Sequence, residues 1–116
     1  MTKGKVVLVP FPFDDLSASK VRPAVCLTEP IGSHRHVVLA FISSQMPVEA
    51  TATDVTLDAR RNDFAATGLR AASVLRLHRL VTLTTGLIQR ELGELSPAWV
   101  EETDKKLALL FGLKCP

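Results

Sequence analysis

Arg22 stands directly before Pro23 and the apolar run Ala24-Val25-Cys26-Leu27. A guanidinium stays charged at any relevant pH, and its planar fork matches the oxygens of a phosphate. The same permanence makes it a poor base. Arg76 and His78 are two residues apart in the run Ser73 to Leu83. In a strand such residues share a face, with Cα atoms roughly 6.6 Å apart. Val74, Arg76 and His78 are then expected on one face, and Leu75, Leu77 and Arg79 on the other. Core leucines on the second face would leave Arg76 and His78 projecting into a groove. Imidazole titrates near neutrality and can act as acid or base where guanidinium cannot. Ser43 ends the apolar run before it and offers a hydroxyl to an anion. Each of these residues also has an ordinary reading: a surface arginine flanking a strand, a solvated histidine, a turn serine.

Other candidates are weaker. Lys20 closes the polar loop Asp14 to Lys20 and is either an anion contact or a solvated charge. His34 and His36 are one residue apart, but no third ligand is nearby, so no metal site is expected. Arg60, Arg61 and Arg70 read first as solvated charge.

These side chains need a β-scaffold. Val6 to Val9, Pro23 to Thr28, His36 to Ile42, Val55 to Leu57 and Ser73 to Leu83 are β-branched or apolar runs separated by turn residues. Gly32-Ser33-His34-Arg35 is a turn, and Asp58 to Ala72 is irregular or partly helical. Gly86 to Leu95 is ambiguous and could be a short turn followed by a last strand. Ser96-Pro97 is an N-cap followed by proline at the first helical position. Glu101 and Glu102 fall near that helix start, where carboxylates suit the dipole. Trp99, Thr103, Leu107, Leu110 and Phe111 form one helical stripe, and Gly112 ends it. The expected architecture is mainly β with a C-terminal helix (α+β), a small curled antiparallel sheet or barrel covered by one helix.

The bulk numbers set bounds. The 116 residues, 47% of them apolar, suit a single domain spanning 1–116 that needs no disulfide. Cys26 sits in an apolar run and Cys115 is penultimate, so a reducing compartment is expected. Pro10 and Pro12 break the only apolar run near the start. No stretch is long enough to span a bilayer, and a soluble cytoplasmic protein is expected. The formal net charge is only +2. Residues 1–80 hold ten Lys/Arg against seven Asp/Glu, whereas residues 81–116 hold four against five. On these counts alone the basic residues read as ordinary surface charge.

Four segments share a wider pattern: Lys3 to Phe13, Ser19 to Val25 with its Arg-Pro-apolar core, Phe41 to Gln45, and Ser73 to His78. In this order and spacing they resemble the MazF/PemK family of toxins over nearly the whole chain. The resemblance implies an SH3-like barrel of the MazF/PemK/CcdB type, usually dimeric. It also implies a toxin of a type II toxin–antitoxin system that cleaves single-stranded RNA at specific sequences, as an mRNA interferase, with no metal or other cofactor. The ribose 2′-hydroxyl attacks the adjacent phosphorus, leaving a 2′,3′-cyclic phosphate and a 5′-hydroxyl. Implied partners are RNA, a cognate antitoxin (with DNA bound through that complex) and a second copy of the chain. The family's site falls on Arg22, Ser43 and Arg76. Where the PemK-like branch has an acidic residue two positions further on, this chain has His78, so imidazole is expected in proton transfer. Ser19, Lys20, Ser44 and Gln45 are the expected RNA contacts, the last two on phosphate or a base edge. The rival expectation is a non-catalytic protein of the same fold: a gyrase poison like CcdB, or a binder of RNA or antitoxin.

Overall fold

The computed structural model describes residues 1–11, 20–47 and 49–114. Among the described residues six strands form one antiparallel sheet: β1 Lys5–Phe11, β2 Lys20–Cys26, β3 His36–Ser43, β4 Asp54–Leu57, β5 Ser73–Thr84 and β6 Arg90–Glu94. Their spatial order is β4-β5-β3-β2-β1-β6. One helix follows, α1, Pro97–Leu110. The sheet curls into a half-barrel. Two register breaks help it bend, one between Val6 and Val7 against β6 and one between Ala40 and Phe41 against β5. An extra residue on one strand of a pair bends it and raises its twist.

Both faces of the sheet are apolar near its centre. On the helix side, Val6, Val25, Ala40, Ile42, Leu75 and Leu77 pack with Trp99. On the other, Val7, Val9, Ala24, Cys26, Val37, Leu39 and Phe41 form a second cluster. Alternation explains the partition, since neighbours along a strand face opposite ways. Cys26 is a free, fully buried thiol, and burial pushes it up to about 11. It packs as the small hydrophobe its surroundings suggest.

The helix starts where its sequence says. Ser96 is the N-cap and its Oγ accepts from Trp99 N at 3.2 Å. The same hydroxyl donates to Asp63 Oδ2 at 2.6 Å. That bond, aided by Arg61, holds the Asp63 carboxyl below its usual range. The stabilisation is present above the unfolded carboxylate range and is lost as pH falls through the lowered folded value. Arg61 lies over the Trp99 ring at 4.3 Å and so ties the irregular segment to the helix start. Glu101 and Glu102 fall beyond the first turn and pair instead with Lys105 and Lys106. Phe111 differs from the stripe expectation. It caps the helix and is 59% exposed, while Trp99 and Thr103 carry the buried face. Among the described residues no helix is long and apolar enough to cross a membrane.

Candidate functional site

The cross-strand register defines the site. One transverse row runs Val7–Ala24–Phe41–Arg76–Asp54 across β1, β2, β3, β5 and β4. Directly paired residues share a face. Arg22 precedes Ala24 by two positions and Ser43 follows Phe41 by two. Because β2 and β3 are antiparallel, both lie on the same side of that row and on the face of Arg76. Ser43 pairs with Val74, which makes Arg76 its diagonal neighbour at roughly 7–8 Å.

The sequence places Pro23 at a telling point. The β1–β2 ladder continues past it to Phe11–Lys20, but the β2–β3 ladder ends at Ala24–Phe41. Proline has no N–H to donate to a neighbouring strand. The pairing therefore stops where Arg22 and Ser43 lie. Arg22 sits inside β2, two residues from its start, and not at the loop–strand junction that a strand beginning at Pro23 would give. Its side chain is exposed, and among the described residues it has no ion-pair partner.

Ser43 is half-buried. Its Oγ donates to Gln45 O at 3.1 Å and accepts from Gln45 N at 3.2 Å, a local turn that shapes the end of β3. Ser44 and Gln45 follow it and are exposed. Lys20 opens β2 opposite Phe11. Ser19 and the rest of the loop from Asp14 lie outside the described residues.

Arg76 is mostly buried and meets Asp54. Nε stands 2.9 Å from Oδ1, with side chains 18% and 5% exposed. The N–H is not directed at the oxygen well enough for a hydrogen bond, since both atoms count as unsatisfied. The contact is therefore one of charge at close range.

His78 falls in the β5 irregularity. Ala40 pairs with Leu80 and the next residue, Phe41, with Arg76, so Leu77, His78 and Arg79 are bulged out of the ladder. Strict alternation fails there. Leu75 and Leu77 do enter the helix-side core. Arg79 does not follow them: its guanidinium lies over the Phe41 ring at 5.1 Å, on the face of Arg76. The expected grouping of Arg79 with the leucines is corrected by this bulge. His78 is exposed. His34, in the turn before β3, and His36, its first residue, have ring centroids 5.8 Å apart and planes tilted by 31°.

This sheet and helix have close counterparts. At 22% identity the chain matches the Mycobacterium tuberculosis toxin MazF-mt6, with a TM-score of 0.73 over 96% of this chain and 99% of that one. It matches an endoribonuclease in complex with its cognate antitoxin, from a mycobacterial species, at 19% identity and a TM-score of 0.71, over 100% and 99%. A MazE–MazF structure from Deinococcus radiodurans follows at 19% and 0.68, over 98% and 97%. No curated protein matched the sequence. The sequence profile of the PemK-like, MazF-like toxins of type II toxin–antitoxin systems matches residues 2–111. The chain belongs to that family.

Two surroundings of the site in this MazF-like toxin were not legible in its sequence. The first is Asp54, brought to Arg76 only by β4–β5 pairing. The second is a groove of about 450 Å³ on the helix side of the sheet, where Leu8 and Pro23 face, lined also by Ser44, Arg70 and Arg90 and, among the described residues, by no carboxylate. Gly68 lines it, and with Gly93 it brings two backbone segments together. A side chain on Gly68 would strike the Leu92 carbonyl, and one on Gly93 the Ala66 carbonyl, so the segment before β5 closes directly on β6. A larger cavity of about 670 Å³ lies between the N-terminus and α1. Glu94, Glu101 and Asp104 line it against Lys3, the wrong sign for a polyanion.

Proposed function

We propose that this MazF-like toxin is a metal-independent endoribonuclease acting on single-stranded RNA. The observation that carries the reading is the convergence of Arg22, Ser43 and Arg76 on one face where the β2–β3 ladder stops. Two guanidinium groups and a hydroxyl suit a phosphate whose negative charge grows during in-line attack. The RNA supplies its own nucleophile. The 2′-oxygen bonds to phosphorus and gives its proton to a base. The P–O5′ bond breaks, and an acid protonates the leaving oxygen. Arg22 binds the phosphate oxygens through its fork, Arg76 holds the same group from β5, and the Ser43 hydroxyl turns from Gln45 O to donate to it. Ser19, Lys20, Ser44 and Gln45 flank the RNA.

His78 is the group proposed for proton transfer, because neither arginine can give up or accept a proton at working pH. If it is the base, the pH–rate profile of single-turnover cleavage loses its acidic limb in His78→Ala, and the rate falls. An unchanged rate with the same limb would make His78 a bystander.

The toxin is further read as a cytoplasmic single-domain homodimer that carries RNA across its interface and is neutralised by an antitoxin. Leu109, Phe111 and Leu113, 58%, 59% and 64% exposed at the end of α1, supply apolar surface for a second copy. Sedimentation should show a dimer in the wild type. A fully active monomer would remove the dimer from the account.

A further inference from the structure

We propose that Asp54 is the positioning residue of the site, holding the Arg76 guanidinium from its Nε side while leaving the two terminal nitrogens for the phosphate. The proposal rests on the reading of Arg76 as a phosphate-holding group.

The row that contains this pair is apolar through Val7, Ala24 and Phe41 and becomes charged only at Arg76 and Asp54. A buried ion pair is a poor route to stability. Taking both charges out of water is costly, and well-packed apolar residues of similar volume often serve as well or better. Asp54 is 7% exposed, and its carboxylate is nonetheless fixed by groups other than the arginine. Thr51 N donates to Oδ2 at 3.0 Å, and Asp54 N returns a bond to Thr51 O at 3.1 Å. The Asp54 carbonyl accepts from Lys106 Nζ of α1 at 2.7 Å, and Lys106 is itself paired with Glu102 at 3.0 Å.

Asp54 is thus anchored from the preceding turn and from the helix, and Oδ1 is the oxygen turned to Arg76. Among the described residues the guanidinium has no second ion-pair partner. A long side chain that would otherwise sample many rotamers is held by charge at its inner edge. Holding a reacting group within a fraction of an ångström of its working pose has a large effect on rate, and a misplacement of about 1 Å can cost about 10²-fold.

The test is a double-mutant cycle on single-turnover cleavage and RNA affinity, with Asp54→Asn, Arg76→Gln and the pair. Asparagine keeps the Oδ2-type acceptor for Thr51 N but removes the charge. Asp54→Asn is expected to lower the maximal rate by up to about 10²-fold while RNA affinity is retained, because the Arg76 charge is still present. In the Arg76→Gln background the same substitution should cause no further loss. A wild-type rate in folded Asp54→Asn, or losses that multiply in the double variant, would overturn the proposal while leaving Arg76 in the site. No loss in Arg76→Gln alone would overturn the reading of Arg76 and the proposal with it. Should Asp54→Asn fail to fold, Asp54→Glu carries the test. A rate loss confined to the Arg76-containing background supports positioning, and an equal loss in both backgrounds, or none, refutes it.

Discussion

Arg22→Ala is expected to slow RNA cleavage by about 10²–10³-fold, the usual cost of removing one preorganised donor to developing negative charge. Thermal unfolding should hardly move, because the side chain is exposed and has no ion-pair partner among the described residues. Arg22→Lys should recover little of the rate. An ammonium keeps the charge but cannot reproduce two parallel N–H contacts to phosphate oxygens. Single-turnover rates with one synthetic RNA, beside a urea melt of each variant, separate the two effects. Near-normal cleavage by Arg22→Ala would take this residue out of the site. Loss of cleavage together with loss of folding would give it a structural role instead.

Trp99→Ala should act through stability, by about 3–5 kcal/mol, a cost typical of truncating a large buried aromatic. That is a large share of the roughly 5–15 kcal/mol that holds a small domain together. Trp99 is fully buried against strand residues from the helix-facing side of the sheet. Its loss opens a cavity beneath α1 and removes the surface on which Arg61 lies. Urea denaturation should show the midpoint falling steeply with the slope little changed. A midpoint close to that of the wild type would mean that the helix does not rely on this contact.

The elements with strong periodic or capping chemistry could be read from the sequence. The Ser96-Pro97 start of α1 and the apolar run of β3 both rest on local rules, and local rules are visible in a single chain. Proline misled at β2. Pro23 looks like a strand boundary, yet it lies inside β2, where the ladder to β3 has just ended and no N–H is required. β6 was ambiguous because Arg-Glu-Leu-Gly-Glu has little alternation, as befits an edge strand with partly solvated faces. At the site, Arg22, Ser43 and Arg76 were suggested by resemblance, but their meeting on one face depends on register. So does the Arg76–Asp54 pair, whose members are far apart in sequence. The bulge that carries Arg79 onto Phe41 lies in the pairing of two strands. Neither strand alone shows it, and a period of two read along β5 therefore sends Arg79 to the wrong side.

In the proposed mechanism this toxin cuts RNA with its own side chains and the RNA's 2′-hydroxyl. The most direct measurement is digestion of a synthetic single-stranded RNA by the purified protein in EDTA, with mass spectrometry of the ends. Paired fragments carrying a 2′,3′-cyclic phosphate and a 5′-hydroxyl are expected, with no cut where the nucleotide before the scissile bond lacks its 2′-hydroxyl. Intact RNA would contradict the mechanism and favour a non-catalytic binder of the same fold. Cleavage of the 2′-deoxy position, or 5′-phosphate ends, would contradict the proposed chemistry while leaving a nuclease.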